Sequence, residues 1–271
     1  MHELRRTVRY SFNPAIPGSE RVGSGGNGFA GKPAMAGLGV YGEIEVACGG
    51  EPDPKTGYLV DIKVIDRAVR EAALPEIARA YRERPESCPG EVLGGLLEGL
   101  SEALPARLRR LVWRLTPTYS WSIDTENAMK AVLRQRFDLA AAHRLDSPEL
   151  SPEENRKIYG ACNNPSGHGH NYVFEAAVEV PLSGRGSEGA FTLATLEKLA
   201  DELVIGPFDH THLNEDTEVF DPRRGGVMPS VEHIARVFFE RLEPGVAARG
   251  GARLVSVTVW ETDRTCAAYP A

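Results

Sequence analysis

The stretch "CNNPSGHGHNYVFEAAVEVPL", Cys162–Leu182, decides the fold. Its second part alternates, with Tyr172, Phe174, Ala176, Val178 and Val180 on one face. That period of two describes a half-buried strand. Stepping backwards by twos from Tyr172 reaches His170 and then His168, so both histidines continue the apolar face. Upstream, "RQRFDLAAAHRL" puts Phe137, Leu139, Ala141 and His143 on one face of another strand. If the two strands pair antiparallel, the end of the first meets the start of the second. Three imidazoles then converge at one end of the sheet. Three histidines with an open position describe a catalytic zinc site, whereas a structural zinc site has four protein ligands.

Outward from this pair the order is regular. "SPEENRKIYG" reads as a short helix with Ser151 as N-cap, Pro152 in the first turn and Glu154 completing a capping box. "FTLATLEKLADELV" has Leu193, Leu196, Ala200 and Leu203 at helical spacing, and "SVEHIARVFFERL" turns Val231, Ile234, Phe238 and Leu242 inward. "ARLVSVTVWETD" is a strand with Val255, Val257 and Val259 on one face, and "TCAAYP" a closing strand. The order β-β-α-α-β-β predicts an α+β domain, an antiparallel sheet with two helices on one face.

The N-terminal half repeats it. "TVRYSFNPAI" places Tyr10, Phe12, Pro14 and Ile16 on one strand face, and "LGVYGEIEVACG" is a second strand. "GYLVDIKVIDRAVREA" and "VLGGLLEGLSEAL" are helical, and "RRLVWRLTPTYSWSI" closes the order. Two tandem domains follow, 1–124 and 125–271, joined near residues 122–132. In this register His143 corresponds to Ile16, His168 to Leu38, His170 to Val40 and Glu261 to Thr118. The first three predict an interior position filled by metal in one copy and by aliphatic side chains in the other. The Gly-rich "GSERVGSGGNGFAGKPAMAG" lacks the strand–GxxxxGK[ST]–helix context of a phosphate loop and reads as a connecting loop.

Four other residues carry chemistry. Cys162 fits a base or nucleophile with a depressed pKa, a fourth metal ligand, or a small buried residue. Asp209 and His210 in "FDHTHLN" fit a hydrogen-bonded proton-transfer pair or a turn cap. Glu261 continues the apolar face of its strand, so it is either paired in a salt bridge or used to hold an amino-substituted heterocycle. His212 receives no role.

Composition bounds the class. The chain of 271 residues carries a net charge of −7, which argues against a nucleic-acid binder. Its four cysteines form no close-spaced pair, which excludes a disulfide framework or a Cys-rich zinc knuckle. No apolar run is long enough to span a membrane and the N-terminus lacks a signal-peptide pattern, so the expectation is a cytoplasmic protein.

Five motifs in order, "AAAHRL", "CNNPSGHGHNY", "FDHTHLN", "SVEHIA" and "WETDRTCAAY", resemble the 6-pyruvoyl-tetrahydropterin synthase family, which includes the 6-carboxytetrahydropterin synthases of the queuosine pathway. The resemblance covers nearly all of 131–269. It implies the tunnelling fold, in which the sheets of several subunits pool into a homo-oligomeric barrel with sites between subunits. It implies 7,8-dihydroneopterin triphosphate as substrate, Zn2+ on His143, His168 and His170, Cys162 with Asp209 and His210 as the proton-transfer set, and Glu261 as the pterin anchor. The link between Cys162 and His168 resembles the pyruvoyl branch, which loses triphosphate, more than the carboxy branch, which releases acetaldehyde. "GAFTLATLEKL" departs from the family by lacking Asp or Asn after its Gly, while the first copy keeps Asp61. The first copy lacks the histidine set and the glutamate, which makes it a structural partner. The rival classes are a silent pterin-binding assembly protein and a cupin-like dioxygenase; two helices between strand pairs disfavour the second.

Overall fold

Phe12 ends strand β1 (His2–Phe12), because Asn13 and Pro14 turn the chain and Pro14 brings no N–H to a ladder. The structure, a computed structural model, describes residues 1–21, 33–35, 37–182 and 191–271. Most of the Gly-rich loop reading, residues 22–32 and 36, lies outside the described residues. Two compact units are present: Met1–Leu133 with Pro181–Arg185, and Arg134–Val180 with Gly186–Ala271. None of the described helices is long and apolar enough to cross a membrane.

In the first unit β1, β2 (Val40–Gly50), β3 (Arg107–Arg114) and β4 (Tyr119–Asp124) form an antiparallel sheet in chain order. One face buries Val8, Tyr10, Phe12, Ile44, Val46, Leu111 and Trp113. The other carries ion pairs, among them Arg9–Glu43 at 2.9 Å and Arg114–Glu45 at 3.0 Å. Alternation of this kind is what one covered face requires. Helix α1 (Ile62–Ala68) starts at Asp61, whose side chain accepts from the Lys63 N–H. A π-helical turn, Val69–Ala73, leads into α2 (Leu74–Glu83), with Pro75 in its first turn. Helices α3 (Pro89–Gly95) and α4 (Leu97–Ala103) complete the layer against β4 and β3.

Tyr10, Phe12, Tyr81 and Trp113 fill the end of this sheet. Their rings stack or meet edge-on at 5.5–6.3 Å, and Trp113 Nε1 donates to the buried Tyr10 hydroxyl at 2.7 Å. The expected aliphatic filling is therefore corrected. Ile16 is 52% exposed and Leu38 98% exposed, since both lie in the connection beyond the ends of β1 and β2. Aromatic residues from the strands themselves close the core.

The second unit holds most of β5 (Lys130–His143) and β6 (His168–Pro181), with β8 (Arg253–Thr262) and β9 (Thr265–Tyr269), in the order β5-β6-β8-β9. Between β5 and β6 stands α5 (Pro152–Tyr159), with the Ser151–Glu154 capping box in place. Helix α6 (Leu193–Ala200) is capped by Thr192, which accepts from the Thr195 N–H and fills the place of the missing Asp or Asn. A π-helical turn, Asp201–Ile205, precedes α7 (Gly206–Phe208), and Pro207 follows it as Pro75 follows the first. The extra residue in that turn moves the buried stripe from Leu203 to Val204 and Phe208. The chain then passes through β7 (Thr211–His212) and α8 (Leu213–Asp216) to α9 (Val231–Ala247), which packs on β8 and β9.

Each sheet has a β-bulge. In the first unit Ala47 pairs with Arg110 and Cys48 with Leu108, so Arg109 is skipped. In the second Ala177 pairs with Ser256 and Val178 with Leu254, so Val255 is skipped. The expectation that Val255 shares the face of Val257 and Val259 is corrected: the bulge leaves Val255 half-exposed and Leu254 buried instead.

Candidate active site

β5 and β6 bring the three histidines together as alternation predicts. The end of β5 meets the start of β6: a Cβ built on Gly169 would stand 3.6 Å from the Ala141 carbonyl oxygen. His143 Nε2 lies 3.2 Å from His168 Nε2, and one ring nitrogen from each of His143, His168 and His170 falls within 4.8 Å of the others. His143 is completely buried. Its Nδ1 is 2.8 Å from the Pro229 carbonyl oxygen, so Nδ1–H donates there and the Nε2 lone pair is free for the cluster. The Tyr172 hydroxyl stands 3.3 Å from the same Nδ1.

The electrostatics favour neutral rings at His143 and His170. Burial pushes the His143 pKa down to about 4, against the opposing pull of its bond to Pro229, and the neighbouring imidazoles add to the fall. Burial also lowers His170. Neutral imidazole is the metal-binding form. His168 Nδ1 and His170 Nε2 are buried without a hydrogen-bond partner. The convergence of one ring nitrogen from each histidine, with His170 Nε2 lacking a hydrogen-bond partner, fits a borderline divalent cation with nitrogen ligands.

Glu261 reaches the same point from β8. Its Oε1 lies 3.5 Å from His143 Nε2 and 3.5 Å from His170 Nε2. Cys162 sits in a 3-10 turn, Gly160–Asn163, after α5. Burial first, and then the charge of Glu261, pushes its thiol up, so the protein's own groups do not depress it. The Tyr172 hydroxyl is raised by burial and then by the charges of Glu261 and Cys162. Thiol, phenol and carboxylate therefore share one electrostatic neighbourhood beside the histidines.

Asp209 and His210 stand along the other edge of β5. α7 stops at Phe208, and the His210 N–H donates to the Ala140 carbonyl at 2.6 Å. Asp209 Oδ1 accepts from the Ala140 N–H at 2.8 Å while its Oδ2 lies 2.7 Å from His210 Nδ1. The carboxylate thus both caps a backbone donor and orients the ring. The Ala140 N–H is the main reason its pKa falls below the ordinary range. His210 has φ 56, a left-handed conformation that costs a non-glycine residue energy and is held only by its surroundings. Its side chain is 81% exposed. A cavity of about 520 Å³ is lined by both His170 and His210, with Ala140, Gly169, Asn171 and His212.

Several contributors escape a reading of side-chain types. Pro229 acts through its backbone oxygen. His212, given no role above, packs its ring against Gly167, where a Cβ would collide with it, and Gly167 has φ 68. Asn163 and Asn214 tie backbone segments around the site; the two asparagines of "CNN" were the visible signal for the first.

Comparison with known proteins places the second half of the chain in a family. The family model described as 6-pyruvoyl tetrahydropterin synthase matches residues 132–271. Human 6-pyruvoyl tetrahydrobiopterin synthase is 35% identical over 143 residues, covering 52% of this chain and 91% of the human one. A putative 6-pyruvoyl tetrahydrobiopterin synthase of Caenorhabditis elegans is 37% identical over 145 residues, 52% of this chain and 96% of its own. The solved structure of C. elegans 6-pyruvoyl tetrahydropterin synthase, 30% identical, covers 52% of this chain and 94% of its own with a TM-score of 0.46. By class, the protein is a lyase. It belongs to the 6-pyruvoyl tetrahydropterin synthase family.

Proposed function

We propose that the chain converts 7,8-dihydroneopterin triphosphate to 6-pyruvoyl-tetrahydropterin with release of triphosphate, using zinc held by His143, His168 and His170. The observation that carries this reading is the convergence of the three imidazoles, with ring nitrogens within 4.8 Å of one another and the buried His170 Nε2 without a hydrogen-bond partner. The pyruvoyl names of the human and nematode relatives and the length of the Cys162–His168 link support the product. Zinc supplies Lewis-acid polarisation of the side-chain hydroxyls, which makes neighbouring C–H bonds acidic. Cys162 accepts one carbon-bound proton. His210, turned by Asp209, moves a second. Glu261 accepts hydrogen bonds from the amino-pyrimidine edge and fixes the ring. One side-chain carbinol becomes a carbonyl as its two hydrogens pass to the dihydropterin ring. The other becomes a ketone when triphosphate is eliminated and the resulting enol tautomerises, its terminal carbon becoming a methyl group, so no nicotinamide is needed.

The first unit is read as a duplicated copy retained for structure, with domains at 1–124 and 125–271. Two irregularities common to both units support it: a bulge, at Arg109 and at Val255, and a π turn followed by Pro75 and by Pro207. A homo-oligomeric barrel and a cytoplasmic setting belong to the same reading. The test is incubation of zinc-loaded protein with 7,8-dihydroneopterin triphosphate, read by mass spectrometry. Triphosphate and the pyruvoyl product are expected. Acetaldehyde with the carboxy product would move the chain to the other branch, and intact substrate over bound zinc would reject the enzyme reading.

A further inference from the structure

The exit of β5 works as a joint. Immediately after His143, the Leu145 N–H donates to the Cys162 carbonyl at 2.8 Å. Asn163, only 5% exposed, donates from Nδ2 to the Leu145 carbonyl at 2.8 Å and to Asp146 Oδ1 at 2.9 Å. Asp146 also receives Arg144 Nη2 at 3.1 Å and Arg223 Nη2 at 2.8 Å. Asn163 thus spends both amide hydrogens on the joint, and two guanidiniums compensate the half-buried carboxylate that receives one of them.

The joint's other side faces the segment after His210. Asn214 Oδ1 accepts from the Arg144 N–H at 2.8 Å, and its Nδ2 donates to the Arg144 carbonyl at 3.0 Å. One amide side chain thereby pairs with both backbone groups of Arg144, as a neighbouring strand would. Residues 144–146 are therefore laced to the turn carrying Cys162, to the segment carrying Asp209 and His210, and by covalent continuity to His143.

We propose that Asn163 and Asp146, with Asn214 on the opposite side, are positioning residues that hold the Cys162 thiol and the Asp209–His210 pair in register with the histidine cluster. This deepens the reading of Cys162 and His210 as the proton-transfer set and rests on it. The physical need is clear. The three groups come from three separate stretches, and the Cys162 turn has no regular ladder to hold it. Proton transfer is sensitive to displacements of about 1 Å, which can cost on the order of 100-fold in rate.

The test compares Asn163→Ala, Asp146→Ala, Asp146→Asn and Arg223→Ala. The last removes an exposed side chain and serves where the buried changes impair folding. Alkylation of Cys162 by iodoacetamide is followed by peptide mapping, with exposed Cys266 as internal reference, beside zinc content, Tm, kcat and KM. Asn163→Ala is expected to lower kcat on the order of 100-fold with KM changed less than about threefold. Zinc content stays the same, and the alkylation rate of Cys162 changes relative to that of Cys266. Asp146→Asn, which keeps an oxygen acceptor for Asn163, is expected to recover much of what Asp146→Ala loses. Unchanged Cys162 alkylation in both Asn163→Ala and Arg223→Ala overturns the proposal, as does a loss confined to Tm and zinc. Should the unmodified protein lack turnover, the functional reading fails, and the alkylation ratio still decides whether the joint positions the thiol.

Discussion

The Nδ1 nitrogen of His143 donates to the carbonyl oxygen of Pro229 across 2.8 Å, so the loop before α9 fixes the tautomer of the most deeply buried ring in the cluster. That bond leaves Nε2 as the only lone pair His143 can offer. His143→Ala removes one of three nitrogens and opens a cavity where the other two converge. Zinc affinity, measured by competition with a chelator, is expected to fall by more than about 100-fold. His212→Ala, outside the cluster of three, is expected to retain the metal.

Asp209 holds two donors at once, and its two roles separate in Asp209→Asn. The amide still offers Ala140 an oxygen but cannot stabilise a charged His210. Turnover is expected to fall on the order of 1,000-fold with zinc unchanged. The carboxyl's folded pKa lies below its unfolded value, chiefly because of the Ala140 N–H. Its contribution to stability is therefore present above about pH 4 and is lost as pH falls through the lower folded value. Urea unfolding at a series of pH values is expected to show a shallower acid limb in Asp209→Asn. An identical limb would mean that folding does not favour the ionised form of the Asp209 carboxyl.

How far these relationships were legible depends on their physical kind. Period-two alternation placed His143, His168 and His170 on one face without any knowledge of contacts, because a strand's side chains have only two directions. The same logic failed at Val255, where one skipped residue reverses the face, and at Leu203, where a π turn inserts one residue into a helical stripe. Single insertions change neither composition nor average period. Ile16 and Leu38 were misplaced because alternation carries no signal of where pairing stops; Asn13 and Pro14 set that end. Pro229 had no signal at all, since its contribution is a carbonyl that every residue possesses.

Trp113 and Tyr10 test whether the aromatic filling of the first unit is structural. Trp113→Phe leaves the buried Tyr10 hydroxyl without its donor and is expected to destabilise the protein by about 1–3 kcal/mol. Chemical unfolding measures the loss. Zinc content and KM, both assigned to the second unit, are expected to remain as they were. A fall in zinc content at unchanged stability would contradict a structural role for this cluster.

Glu261 presents the sharpest alternative at the site, since one oxygen stands 3.5 Å from both His143 Nε2 and His170 Nε2. A carboxylate there can serve as a fourth metal ligand or swing to anchor a heterocycle. The two roles have opposite signatures. As an anchor, Glu261→Gln keeps an acceptor but loses its charge, so KM is expected to rise about 10–100-fold, the loss of one charge-assisted hydrogen bond, with zinc affinity unchanged. As a ligand, the amide would weaken zinc binding at any substrate concentration. The need for an open metal position favours the anchor. A closed four-ligand site would leave the metal no open position. Chelator competition on the variant, run beside its KM, decides between them, and a joint loss of zinc affinity and turnover would assign Glu261 to the metal.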